Sequence, residues 1–283
     1  MEEKLDVNAI LGKIAESKKK YSFPIFIPSL NREVPFYQMT TAQQKNFVKA
    51  SMGEETAFSE TMYALFALIK ENCADETVDV SKFTLVDKLI VTIHMRMMSI
   101  SPIYKVVVND ITDEDDKPLH ASINLDSLLK KIIKQFKGKN YAERISADGT
   151  DISVDIDVPT IADEVLMEKD FEGEARITAS NEKDEKYAEA MGDLYVLECV
   201  KFMKSLTIKD GNGDKTIPLA EIPAKDKKTI FEGLPTALSS KIVDKVNEIT
   251  ADLNSATLLN ITHEGEKHQY TIRLTDPSFF IAS

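Results

Sequence analysis

Two proline-containing apolar runs near the start of the chain restrict its fold more than any other feature. They flank the polar residues 29–32, a pattern that predicts a β-hairpin. Pro24, Pro28 and Pro35 lack the backbone N–H that a central strand donates to its neighbours. The hairpin is therefore expected to keep an open edge, outside the middle of a larger sheet.

A capped helix follows this hairpin directly. Thr40 with Gln43, or Thr41 with Gln44, has the spacing of a capping box, in which the hydroxyl oxygen and the side-chain carbonyl oxygen each accept from a backbone N–H. Thr84 with Asp87 has the same spacing and predicts the start of a later helix. An open sheet edge beside a helix can dock another chain. We therefore predict a partner-docking surface on the hairpin. Its candidate residues are Phe23, Ile25, Phe26, Ile27, Val34 and Phe36.

Composition narrows the class of protein. The 283 residues are 43% hydrophobic, with a net charge of −12 and a pI near 5.0, which disfavours nucleic-acid binding. No apolar run approaches the roughly 20 residues that span a bilayer, and the acidic start is unlike a signal peptide. Cys73 and Cys199 match no zinc spacing and are expected to be buried thiols of a cytosolic protein.

Hydrophobic periodicity predicts an α+β fold in four parts. They are an N-terminal helical arm (1–20), a domain of hairpin and helices (21–103), a β-rich middle domain (104–180), and a helical domain with C-terminal strands (181–283). The arm is either a docking arm or a packed cap. Residues 170–185 read as a loop, residues 186–204 as a helix buried on several faces, and residues 279–281 as a terminal strand.

One stretch invites a metal hypothesis. Counted from Asp210, the chain places Asn212, Asp214 and Glu221 at ligand positions of a calcium-binding loop. The sixth position of that loop needs glycine for its sharp turn, and Lys215 stands there. A glycine-rich hairpin turn explains the same residues, and it is the interpretation we favour. The acidic residues 110–116 likewise read as a solvated hairpin tip.

Catalytic signatures do not emerge. The sequence has no nucleophile elbow, phosphate-cradling loop or helical histidine pair. His94 is expected to be a packing residue, while His263 and His268 are expected to face each other across a hairpin. We predict a protein that is not an enzyme and has no catalytic residues, metal or cofactor.

Three segments together resemble one protein family. The first runs from residue 27 to residue 45, the second from residue 68 to residue 84, and the third from residue 87 to residue 99. Their order and spacing resemble the baseplate hub proteins of T4-like bacteriophages. A helix after residues 234–235 and a terminal strand with Phe279 and Phe280 fit this resemblance loosely.

The resemblance implies a hub subunit or hub assembly factor of a contractile tail, and supplies no catalytic residue. The implied partners are other tail or baseplate proteins of the hub or tube. The implied locations are the host cytoplasm during assembly and the tail baseplate of the virion. The resemblance also implies cysteine pairs in the middle hairpin and near the C-terminal strands, where this chain has none. The alternatives are a cytosolic adaptor of another assembly and an enzyme built from dispersed carboxylates.

Overall fold

A computed structural model describes residues 7–52, 57–112, 118–167, 185–211, 213–263 and 266–281. Within these residues the fold is α+β, as predicted, with α-helices placed around small antiparallel sheets. The helices are α1 Val7–Lys20, α2 Thr41–Ser51, α3 Ala57–Asn72, α4 Leu85–Ser99, α5 Leu125–Phe136, α6 (161–167), α7 Glu185–Val200, α8 Ala224–Glu232 and α9 Thr236–Thr257. The predicted loop at 170–185 lies almost wholly outside the described residues.

The strands of the described residues form three hairpins and one larger sheet. They are β1 Ser22–Ile27, β2 Arg32–Tyr37, β3 Ile103–Thr112, β4 Pro118–Asn124, β5 Glu143–Ser146, β6 Ile152–Ile156, β7 Met203–Asp210, β8 Gly213–Pro218, β9 Leu258–His263 and β10 Glu266–Thr271. The larger sheet has the order β5-β6-β7-β8, so it joins strands from both sides of the predicted domain boundary at residue 180. The domain division itself stays a prediction.

Helix α7 is shorter and more exposed than its sequence predicted. It ends at Val200, and Met203 already begins β7. Met191 is 46% and Tyr195 51% exposed, while Leu197 and Val200 are buried. The prediction of burial on several faces was therefore wrong. The outer face of α7 carries large side chains, so the composition of this helix resembled that of a buried one.

The predicted terminal strand at residues 279–281 was also wrong. Residues Pro277–Phe280 form a 3-10 helix, which the Asp276 side chain caps by accepting a hydrogen bond from the Ser278 amide at 2.8 Å. Phe279 and Phe280 are both fully buried. These aromatic residues were favourable for a strand, but the proline and the cap begin a helical turn that inserts both rings into the core.

One connected hydrophobic core runs from the first hairpin to this last turn. Phe280 lies with its ring centroid 4.5 Å from that of Phe47 in α2, and Phe279 lies 5.2 Å from Tyr104 in β3. The end of the described chain thus packs against elements near its beginning. The hairpin β1–β2 is held within the same core.

Candidate docking surface

The β1–β2 hairpin forms as the sequence predicted. Pro24 lies directly opposite Pro35, and Ile25 lies opposite Val34. The Pro35 carbonyl accepts a hydrogen bond from the Ala74 amide at 2.9 Å, outside the hairpin. In an antiparallel pair, opposite residues alternate between pairs that exchange hydrogen bonds and pairs whose backbone groups point outward, and the outside partner of Pro35 assigns the Pro24–Pro35 pair to the second kind. The two prolines therefore occupy positions where a missing N–H costs the hairpin no internal bond.

The two outer edges of the hairpin differ. Phe36 in β2 forms a bridge with Cys73, so residues following α3 cover part of that edge. No other strand pairs with the outer edge of β1 anywhere in the described residues. The uncovered edge is therefore that of β1.

The predicted capping box is present, in the first of its two alternatives. The Thr40 hydroxyl accepts from the Gln43 amide at 3.2 Å, and the Gln43 side-chain oxygen accepts from the Thr40 amide at 2.9 Å. Gln44 instead donates to the Phe280 carbonyl at 2.5 Å. Thr41 and Gln44 are therefore not the pair that forms the capping box, and Gln44 instead joins α2 to the C-terminal turn.

The structure places the six residues predicted to dock a partner mostly inside the chain. Side chains that are at most 7% exposed belong to Phe23, Ile25, Ile27, Val34 and Phe36. Phe26 lies half-buried on the other face of the hairpin, with the Lys137 ammonium 5.6 Å from its ring centroid. Of the six side chains, only Phe26 is accessible to a partner while the chain stays folded.

The alternation of the hairpin explains this burial. Odd-numbered residues of β1 point inward, and Phe23 places its ring 5.3 Å from the His94 ring of α4. On β2, Phe36 lies 6.4 Å from Phe83. A two-stranded hairpin is stable only when another element packs on its apolar face, and here α4 and the turn before it cover that face. The period-two pattern was the available signal, and it separates Phe26 from its neighbours.

Asp87 fixes the tip of the hairpin. Its Oδ2 accepts from the Thr84 amide at 2.7 Å, which completes the predicted cap of α4, and its Oδ1 accepts from the Ser29 amide at 3.1 Å. Asn31 makes the tight turn with a φ of 48°, in the left-handed region that asparagine tolerates. The sequence indicated the capping role of Asp87 but not its contact with the tip.

A cleft of about 420 Å³, lined by both polar and apolar side chains, lies beside this tip. Ser29 and Asn31 line one side, and residues 138–141 line the other. Tyr141 donates to the Asp252 carboxylate at 2.7 Å, and the Lys139 ammonium lies 2.6 Å from the same oxygen. Hydrogen bonds from Lys139 and Tyr141 lower the pKa of Asp252, while burial and Asp252 raise the pKa of Tyr141. Asp252, which lies outside the lining, therefore holds two of the side chains that border the cleft.

Within the described residues neither metal hypothesis gains a ligand set, and residues 113–116 of the predicted acidic turn lie outside them. No group of three or more metal-ligating side chains occurs among the described residues. Asp210 and Gly213 face each other across the β7–β8 hairpin, as the hairpin interpretation predicted, although Asn212 lies outside the described residues. In the β9–β10 hairpin, His268 lies opposite Ile261 and His263 lies opposite Glu266. The prediction that the two histidines face each other was therefore wrong, because the strands pair in a different register.

Within the described residues the fold is that of an α+β protein with an unpaired strand edge and a cleft at the tip of its first hairpin. The family described as T4 bacteriophage base plate protein matches residues 18–280, and the chain belongs to that family. It is therefore a baseplate protein of a T4-like phage, as the resemblance of its sequence implied. No curated protein and no solved structure matches the chain. None of the described helices is long and apolar enough to cross a membrane.

Proposed function

We propose that this chain is a structural or assembly component of the baseplate hub, and that it acts through protein–protein contacts without catalysing a reaction. The family match supports the baseplate role. The observation that carries the contact hypothesis is the outer edge of β1, with which no described strand pairs and which ends at the hairpin tip beside the cleft. Its partners are other hub or tube proteins, encountered in the host cytoplasm during assembly.

The β1 edge suits the addition of a strand from such a partner. A fixed edge supplies backbone donors and acceptors in register, and β-augmentation uses these groups for affinity. Core packing beneath Ile25 and Ile27, both 0% exposed, holds this edge rigid before binding. Pro24 removes one donor and so limits the register in which a strand can pair. Phe26 offers an apolar contact on the accessible face.

Substitutions at neighbouring positions of β1 test this proposal. Phe26→Asp is expected to leave the chain folded, because the side chain is half-buried, and to weaken its binding to hub proteins. Ile27→Asp places a charge in the core and is expected to unfold the chain. The measurement is binding of purified variants to purified hub and tube proteins, with circular dichroism as the test of folding.

A matched control comes from the opposite strand. Glu33 is the cross-strand neighbour of Phe26 and is exposed, so Glu33→Asp changes the same face of the hairpin conservatively. We expect wild-type binding from this variant. If a folded Phe26→Asp variant binds hub proteins as tightly as the wild type, the β1 edge is not the docking surface. Failure of the wild type to bind any hub or tube protein would contradict the hub assignment.

A further inference from the structure

The outer edge of β1 has fewer backbone donors than acceptors. Pro24 and Pro35 form a pair whose backbone groups point outward, so the alternation of pairs makes Ser22 and Phe26 point outward as well. Within the described residues, no backbone hydrogen bond from another element reaches these three β1 residues. The edge therefore offers two N–H donors, those of Ser22 and Phe26, and three carbonyl oxygens, those of Ser22, Pro24 and Phe26.

A strand of a different protein can use nearly all of these groups. In an antiparallel pair, the residue opposite Ser22 and the residue opposite Phe26 each exchange two hydrogen bonds with β1. The residue opposite Pro24 still donates its own N–H to the Pro24 carbonyl, and only its carbonyl oxygen stays without a donor. Ser22 and Pro24 are exposed and Phe26 is half-buried, so all three lie at the surface. The proline thus costs such a complex a single hydrogen bond.

A second copy of this chain meets a different arrangement. A two-fold axis pairs β1 with itself in the antiparallel direction, and the register that uses both donors places Ser22 opposite Phe26 of the other copy. Pro24 then lies opposite Pro24, so neither carbonyl receives an N–H, and each ring occupies the place of the missing hydrogen. In any other register, one of the two donors lies opposite the helical residues that flank β1. Self-pairing therefore loses hydrogen bonds in every register.

The opposite proline has no such consequence. Pro35 stands on the β2 edge, where the Ala74 amide donates to its carbonyl at 2.9 Å. Residues that follow α3 thus cover the edge at this position. Proline on an uncovered edge is one of the ways in which proteins prevent edge-to-edge pairing. Pro24 occupies such a position, since no described strand pairs with the outer edge of β1.

We propose that Pro24 determines the choice of partner at the β1 edge, which accepts an extended segment of a different baseplate protein and rejects a second copy of this chain. The inference rests on the proposed function, which assigns docking to this edge. A different strand leaves one carbonyl oxygen without a donor, whereas a second copy leaves two and brings two proline rings together. Polar groups left unpaired at an interface weaken binding. The edge thus stays available to its partner when many copies of this chain are present.

Restoring the missing donor tests this inference. Pro24→Thr supplies an N–H that points away from β2, and threonine suits a strand, so the variant is expected to fold. Self-pairing then gains two hydrogen bonds across the two-fold axis. Sedimentation velocity of the full-length protein, from about 1 to 100 µM, should show a dimer Kd at least about tenfold lower than that of the wild type. Circular dichroism checks that the variant is folded.

Two control variants separate this effect from the loss of a proline in general. Pro24→Lys supplies the same N–H but places two lysines directly opposite each other across the axis, where like charges destabilise the pair. Pro35→Thr makes the same substitution on the covered edge of β2. Both variants are expected to self-associate no more tightly than the wild type. If Pro24→Thr does not self-associate more tightly than the wild type and Pro24→Lys, Pro24 does not exclude a second copy.

Binding to purified hub and tube proteins is measured separately. Pro24→Lys is expected to bind them at least as tightly as the wild type, because a partner strand gains a donor. Weaker binding by a folded Pro24→Lys variant would overturn the inference that the edge accepts a strand in this way. Absence of binding by the wild type and every variant would contradict the proposed function instead, so the two failures are distinguishable.

Discussion

At the scale of single residues, Arg96 joins the end of α4 and the start of β3 to the C-terminal turn. Its side chain is fully buried, and it donates to the carbonyls of Phe279 at 2.6 Å and Ser101 at 2.7 Å. Its guanidinium carbon lies 4.8 Å from the Tyr104 ring centroid. Burial lowers the pKa of Arg96, yet arginine stays protonated in proteins. Carbonyl oxygens and aromatic faces therefore stabilise a buried cation here.

Replacing Arg96 should be strongly destabilising. Arg96→Met is expected to lower the free energy of unfolding by about 3 kcal/mol or more, because buried carbonyls lose their donors. Arg96→Lys should also destabilise, since one ammonium cannot reproduce the planar fork of donors. Chemical denaturation measures both effects. Lys105→Met, on the exposed strand nearby, is the control and should change stability little; a comparable loss there would contradict this role for Arg96.

At the scale of elements, α8 carries a buried lysine at the contact with α6. Lys227 is 0% exposed, and its Nζ has no hydrogen-bond partner in the described structure. Asp163 of α6 lies near enough to attract it, but Lys204 already lies 2.5 Å from that carboxylate. Burial is the largest influence, and it lowers the pKa of Lys227 despite the attraction of Asp163.

The pH dependence of stability follows from this direction. At pH values between the lowered pKa of Lys227 in the folded chain and its ordinary pKa of 10.5 in the unfolded chain, the unfolded chain binds more protons. The free energy of unfolding contributed by this group therefore rises with pH across that range. We expect Lys227→Met to stabilise the protein at neutral pH by about 1 kcal/mol or more and to flatten that rise.

Urea denaturation from pH 7 to pH 10 provides the measurement for α8. Lys225 lies two residues earlier on the same helix and is exposed, so Lys225→Met is the matched control and should leave the profile unchanged. A Lys227→Met protein that is less stable than wild type at pH 7 would show that the ammonium contributes favourable contacts to α8.

Elements could be predicted where local chemistry determines them. Thr40 and Thr84 predicted the starts of α2 and α4, and both capping boxes are present. The end of α7 depended on distant packing, whereas the turn at Phe279 did have local signals, Pro277 and the capping side chain of Asp276, which the apolar pattern outweighed. The hairpin was predictable, but the burial of its docking candidates required knowledge of which helix would cover it. Period-two alternation distinguished Phe26, and only the tertiary structure showed the opposite face to be filled by α4.

At the scale of the whole molecule, the described chain combines one connected core with surface features that we propose as contact sites. Packing between Phe47 and Phe280 ties the beginning of that core to its end. Ile25 and Ile27 of β1 belong to this core, whereas Val7, Leu11 and Ile14 of α1 lie outside it and are exposed. The overall family was recognisable from spaced segments of sequence, while the surfaces became visible only in three dimensions.

The presence of this chain in tail assemblies tests the central claim most directly. Quantitative mass spectrometry of baseplate hubs, baseplates and complete tails, each purified from phage-infected cells, would measure its copy number at every stage. A role in building the baseplate predicts that the chain is present in at least one of these assemblies, at a fixed ratio to the other baseplate proteins. Its absence from all of them, at every stage of assembly, would contradict a role in building the baseplate.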